Sequence, residues 1–248
     1  MQAKYHITKE QNIFLAKRNV VDYIWKSANL EGIKVTYPET QAIYHGMGVA
    51  GYRIEEVVAV NELARAWQQL FSMIDCPLEL AYVKKIHFEL GKSTIKDAGS
   101  LRSTDVHLEG MEWFPPISDE GKLEMEIQRI MKWEDPLERA LELIVYLMRA
   151  QPFYDGNKRI SMLIGNKIMI ENGCGVISVP QKYIPDFYTC LRLYYETGDS
   201  TELKGLLYQH CIDGMEFPEG AKIPVKRGNH SAAVDGENTR LKKGDKYV

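Results

Sequence analysis

The chain has 248 residues, 45% of them apolar and 26% charged, with a formal charge of −3. That length suits one large domain or a core with an appendage, and the balance is ordinary for a globular protein. No basic field argues for nucleic acid as a partner. Four cysteines, Cys76, Cys174, Cys190 and Cys211, are scattered. Without a C-x-x-C pair they point away from a disulfide framework or a zinc site, and a reducing compartment fits. The N-terminal "MQAKYHITKEQNIF" lacks an apolar signal core. No apolar run approaches the roughly 18 to 20 residues a membrane helix needs. A cytoplasmic protein with no membrane partner is therefore expected.

In chain order, "TKEQNIFLAKRNVVDYIWKSANLEG" reads as one helix, from a Thr8 cap to a Gly32 stop. Phe14, Val21 and Trp25 share a face that Ile13, Val20 and Ile24 widen. A short polar helix follows Pro38. "YRIEEVVAVNELARAWQQLFSMI" predicts an amphipathic helix with Ile54, Val57, Val58, Trp67, Phe71 and Ile74 near one stripe. "PLELAYVKKIHFELG" predicts another, stopped by Gly91.

From Lys92 to Pro116 the chain turns to Gly, Ser, Thr and Asp, with hints of alternation in "STDVHLEGMEWF". A small hairpin is expected there, closed by two prolines. The aromatic "MEWFPP" would pack that hairpin onto the body or present a partner surface. "EDPLERALELIVYLMRAQP" restores helical spacing. Asp135 is its N-cap candidate, Pro136 suits the first helical position, and Glu138 completes a capping box. Leu137, Leu141, Ile144 and Met148 make one apolar side; Leu143 and Leu147 make the other, so this helix should be central and buried. "NKRISMLIGNKIMIENG" adds a helix of about four turns, closed by Gly173. "YIPDFYTCLRLYYETGD" and "STELKGLLYQHCIDG" add two more. From Met215 the sequence turns polar and glycine-rich, as in a tail that is flexible or docked on the surface. The expected class is all-α with one small β-hairpin. Three regions follow: 1–75 helical, 76–212 a core and 213–248 the polar tail.

"FYDGNKR" lies between two buried helices. Gly156 permits backbone angles other residues avoid, and Asp155 or Asn157 can cap the next helix. The first turn of that helix offers free N–H groups and a positive dipole end, which suits an anion. Lys158 and Arg159 add charge and forked donors, and Asp155 is a hard oxygen ligand for a phosphate-bound Mg²⁺. The plainer reading is an ordinary helix–turn–helix connection with an Asx cap and solvated cations.

"QPFYDGNKRISM" resembles the Fic/Doc family signature, H-x-F-x-[DE]-[GA]-N-[GK]-R-x-x-R, at Pro152, Phe153, Asp155, Gly156, Asn157 and Arg159. The order of elements agrees over most of the chain. The resemblance implies a Fic fold: a helical bundle around a central buried helix, with the hairpin as a flap. It also implies AMP transfer from ATP to a protein hydroxyl. By that resemblance Asp155 holds Mg²⁺, Asn157 and the Gly156 loop amides hold phosphates, Arg159 contacts phosphate and Phe153 anchors the loop. The flap, at Ser103, Thr104, Asp105, Val106 and His107, would clamp a target protein by strand pairing. A homodimer is a further family expectation.

Two positions depart from the signature. Gln151 stands where the family has its catalytic histidine, and a neutral amide cannot accept the proton. Met162 stands where the second arginine belongs, and a thioether cannot hold a phosphate. Lys158 in place of glycine is similar to the phosphorylating Doc branch, which also keeps the histidine. Of six histidines, His107 alone is expected near the loop, and a surface hairpin histidine is the plainer reading. "SANLEG" fits the family's inhibitory pattern [ST]-x-x-x-E-[GN], with Ser27 and Glu31 on one helix face. Without an arginine at 162, Glu31 is expected to turn to Arg159 or Lys158, or to stay unpaired. Three functions follow: a pseudoenzyme or regulatory module that binds nucleotide or target, an active transferase with altered chemistry, or a scaffold without nucleotide binding.

Overall fold

The computed structural model describes residues 1–108 and 111–217. They form ten α-helices and one short antiparallel strand pair, so the chain is all-α. The order is α1 (Lys9–Arg18), α2 (Val20–Leu30), α3 (Tyr37–Tyr44), α4 (Ile54–Ser72), α5 (Leu80–Gly91), α6 (Glu120–Met131), α7 (Pro136–Ala150) and α8 (Asn157–Glu171). Then come β1 (Val176–Ile177), α9 (Ile184–Thr197), α10 (Thr201–His210) and β2 (Ile212–Asp213). No helix among the described residues is long and apolar enough to cross a membrane.

Helices α7 and α8 share the largest helix–helix interface. Leu137, Ala140, Leu141, Leu143, Ile144 and Leu147 of α7 have no exposed surface, so its two apolar sides are both used. Gly165 of α8 makes the close approach possible, since a Cβ there would fall 2.3 Å from Ile144 Cδ1. Asp135 caps α7 by accepting from the Glu138 N–H at 2.8 Å. The reciprocal half of the expected capping box is absent, because the Glu138 carboxylate pairs with the N-terminal amine of Met1. Around this pair, α1 and α4 pack on α8, and α6 and α10 pack on α7.

The single helix expected from Thr8 to Gly32 is two helices. Thr8 begins α1 with a capping box shared with Gln11. Asn19 then leaves helical geometry, at φ −102° and ψ 10°, and serves as both the C-cap of α1 and the N-cap of α2. Asparagine is at home at such boundaries because its side chain competes for the backbone. The break re-aims α2, so Val20, Tyr23, Ile24 and Ala28 are buried while Val21 and Trp25 are only half-buried. Ile54, placed in the α4 stripe by its spacing, starts that helix and is 78% exposed.

Two elements were not anticipated. Helix α6 is capped by Asp119, which accepts from the Lys122 N–H at 2.8 Å, and buries Leu123, Ile127 and Ile130. The strand pair joins β1 to β2, with Val176 opposite Asp213 and Ile177 opposite Ile212. Asp213, assigned above to the tail, is therefore built into the body and accepts from the Tyr23 hydroxyl at 2.8 Å. Residues 218–248 of the expected tail lie outside the described residues.

Candidate nucleotide and target site

Helix α7 ends at Gln151, whose φ of 47° and ψ of 56° put a non-glycine residue in the left-handed region. The chain then dives inward. Phe153 has no exposed surface and stacks on His87 of α5, with ring centroids 3.7 Å apart and planes 6° apart. Gly156, at φ +76°, turns the chain into α8. A Cβ at Gly156 would meet Ile95 Cδ1 at 2.8 Å, so both angle and space demand glycine.

Neither Asp155 nor Asn157 caps α8. Asp155 Oδ1 accepts from the Gly156 N–H at 2.6 Å. The Asn157 amide turns back into the loop: its Oδ1 accepts from Phe153 N–H at 3.0 Å, and its Nδ2 donates to Phe153 O at 2.8 Å and to Gln151 Oε1 at 2.9 Å. Gln151 Nε2 donates to Met148 O at 2.6 Å and to the Tyr195 hydroxyl at 3.0 Å. Both amides are buried and bonded at each end. With no side-chain cap, the first-turn N–H groups of α8 are left for another acceptor.

Glu31, at the C-cap of α2, reaches this turn. Its Oε2 lies 3.4 Å from Lys158 Nζ and its Oε1 lies 3.7 Å from Arg159 Nε. Arg159 Nη2 is also 3.2 Å from Asp155 Oδ2. The Glu31 and Arg159 side chains are only 14% and 7% exposed, so the pair is poorly screened. Burial pulls the Lys158 pKa down, but Glu31 and Tyr188 outweigh it and hold the ammonium above its ordinary value. Met162 is buried beside Ser27, Arg159 and Ser178 around a small cavity under α2.

The expected hairpin flap has no strand among its described residues: 101–108 and 111–117 are irregular, and the two described strands, β1 and β2, lie elsewhere. Alternation alone does not make a strand without a paired partner. The segment is nonetheless held on the body. Trp113 lies between Tyr195, 5.4 Å away at an interplanar angle of 9°, and the Arg149 guanidinium, 4.6 Å from the ring centroid. Phe114 is 52% exposed and meets His107 edge-on. Tyr154 accepts from the Ser103 N–H at 3.2 Å and pairs with the Ser103 hydroxyl at 3.1 Å. Asp105 is exposed.

A cavity of about 430 Å³ lies where these parts meet. Its walls include Glu31, Val106, His107, Gln151, Tyr154, Asp155, Asn157 and Lys158, with Tyr188, Leu191, Arg192 and Tyr195 from α9. Motif loop, α2 and the 101–117 segment thus converge on one cleft.

Residues 77–169 match the family model described as "Fic/DOC family". The chain carries a Fic/DOC domain. The protein adenylyltransferase fic-1 of Caenorhabditis briggsae is 26% identical over 233 residues, covering 88% of this chain and 44% of that one. Its Caenorhabditis elegans counterpart is 27% identical over 185 residues, covering 69% and 36%. The chain therefore spans less than half the length of these curated relatives. A solved fragment of C. elegans Fic-1 superposes with a TM-score of 0.65 at 22% identity, over 79% of this chain and 62% of that one. That likeness shows the fold.

Within the Fic domain, Asp155 is the one carboxylate of the motif loop, and its side chain is 66% exposed. No group of three or more His, Cys, Asp or Glu residues that could hold a metal occurs among the described residues. Asp155 is thus the carboxylate that could meet a Mg²⁺ carried in by phosphates.

Two buried residues of the site escaped the sequence reading. His87, not His107, is the histidine bonded to the motif loop: Nδ1 accepts from the Gly99 N–H at 2.9 Å, so Nε2 carries the proton and donates to Asp155 O at 2.9 Å. His107 lines the cleft but is not bonded to the loop. Arg102 is 1% exposed and its guanidinium bonds only backbone carbonyls. Their only signal in the sequence was a polar residue in an otherwise apolar helix face and an arginine beside the flap.

Proposed function

We propose that this Fic domain binds ATP with Mg²⁺ and a target protein segment along residues 103–107, and that its AMP transfer is attenuated. Gln151 carries the reading: its amide stands at the family's histidine position and is bonded to Met148, Tyr195 and Asn157. It holds the loop together and has no lone pair of imidazole basicity to take a hydroxyl proton. Losing a general base costs about 10²–10⁴-fold in rate, or roughly 3–5 kcal/mol of barrier.

The anion site keeps most of its parts. Lys158 and Arg159 stand at an uncapped helix start, and Asp155 faces the cleft. Bound phosphates would take over the charges that Glu31 now neutralises, with Asp155 meeting the Mg²⁺ they bring. Such an ion, when bound, would supply positive charge to offset the phosphates. Calorimetry with ATP and Mg²⁺, alongside a mass-spectrometric transfer assay, tests the reading. Micromolar binding with little or no transfer supports it. Robust turnover overturns the attenuation, and no binding leaves a target scaffold.

A second reading, an active transferase with altered chemistry, has one observation in its favour. Hydrogen bonds from Ser103 and Thr104, aided by nearby Lys96, pull the Tyr154 phenol down to about 8, and that phenol lines the cleft. A base so poised would serve near neutral pH. Tyr154→Phe should abolish any residual transfer on this reading and leave it unchanged on the first.

A further inference from the structure

Among the described residues, Arg102 is the largest fully buried side chain, and no carboxylate forms a salt bridge with it. Its partners are four backbone carbonyls. Nη1 donates to Thr104 O at 2.9 Å, and Nη2 donates to Pro115 O at 3.1 Å and Pro116 O at 2.5 Å. These acceptors sit at the two roots of the 101–117 segment. Nε donates to Gln151 O at 2.6 Å, and the Arg102 main-chain N–H donates to Pro152 O at 3.0 Å. One side chain thus closes the flap at its base and grips the residue at the catalytic position.

The grip falls on a strained point. Gln151 holds φ 47°, a region that side chains other than glycine seldom occupy. A short charge-assisted bond to its carbonyl, from a guanidinium that is 1% exposed, is the kind of contact that keeps such a backbone in place. The planar fork of arginine can meet four acceptors at once, whereas a lysine ammonium is a single point with three donors.

We propose that Arg102 is a positioning residue that couples the flap to residue 151. In this arrangement a displaced flap shifts the Gln151 carbonyl, and with it the amide bonded to Asn157 and Tyr195. The target-facing role of the flap rests on the reading above. The mechanical link does not, and its test needs neither nucleotide nor turnover.

Hydrogen exchange on the full chain decides it. In Arg102→Lys, the flap amides should exchange faster, and so should the Gln151 N–H, bonded to Leu147 O, and the Phe153 N–H, bonded to Asn157 Oδ1. A rise of tenfold or more at these two amides, with the α4 and α5 amides unchanged, is the expected result. Faster exchange in the flap alone would overturn the coupling and leave Arg102 a simple flap anchor. Should the variant not fold, the wild-type protein still answers. The Arg102 Nε–H resonance should persist well after transfer to D2O, and its loss at the rate of exposed arginines would overturn the proposal.

Discussion

The Asn157 side chain donates to the Gln151 side chain across 2.9 Å, joining the first residue of α8 to the last cap of α7. Gln151→Ala would leave Asn157 Nδ2 one partner short and remove a partner of the Tyr195 hydroxyl. Buried groups stranded in this way cost about 1–3 kcal/mol. Chemical denaturation should show a loss of that size, with the cooperativity of unfolding preserved. An unchanged midpoint would mean that water satisfies the node.

Glu31 faces two cations that phosphates would also seek. Removing its carboxylate with Glu31→Gln takes one counter-charge from Lys158 and Arg159, leaving Arg159 its contact with Asp155. ATP affinity measured by calorimetry should rise about 5- to 30-fold, the effect of roughly 1–2 kcal/mol in a poorly screened site. The same substitution should make binding more salt-sensitive, because the protein's own counter-charge is gone.

His87 gives the stability a pH dependence. Burial lowers its pKa from 6.5 to about 4, so the folded protein keeps the ring neutral while an unfolded chain would protonate it. The unfolded state therefore binds more protons between those values, and stability falls as pH drops through that window. The full contribution, on the order of 3 kcal/mol by linkage, is present above pH 6.5 and gone below about pH 4. Denaturation midpoints across that range should flatten in His87→Phe, which keeps the stack on Phe153 but carries no proton.

Gly156→Ala places a methyl group at φ +76° and within 2.8 Å of Ile95 Cδ1. Strain and overlap together should cost about 2–4 kcal/mol. The loop should loosen before the helices do, so protease cleavage near residue 155 would rise ahead of any change in helicity.

Gln151→His with Met162→Arg completes the family signature. Self-modification with AMP, read by intact mass, should appear in the double variant and be weaker or absent in each single one. A silent double variant that still binds ATP would mean the target segment, not the base, is what is missing.

Local chemistry carried most of what the sequence made legible. The Thr8 box, the Asp135 cap and the apolar faces of α7 are short-range features, and they stand where spacing put them. The left-handed turn at Gly156 was legible in the motif loop, though neither Asp155 nor Asn157 caps α8 as expected. Of the alternatives open to Glu31, it faces Lys158 and Arg159. The failures share a cause. Whether alternating residues become a strand depends on a partner strand, which "STDVHLEG" does not find among the described residues. His87 and Arg102 acquire their importance only when folding brings α5 and the flap root against a loop 68 and 49 residues away. The α6 helix is a plainer omission, since Asp119 and the spacing of Leu123, Ile127 and Ile130 were in view.

The left-handed backbone at residue 151 has a genetic consequence. Histidine is among the residues enriched in that region, so the main chain there already suits the side chain the position lacks. Glutamine and histidine codons differ at a single base, and so do the methionine codon and one of those for arginine. Both departures from the family signature thus lie one nucleotide change from reversal, and the first needs no new backbone shape. Two point mutations would therefore complete the signature, and on the attenuated-transfer proposal they would be enough to restore the chemistry.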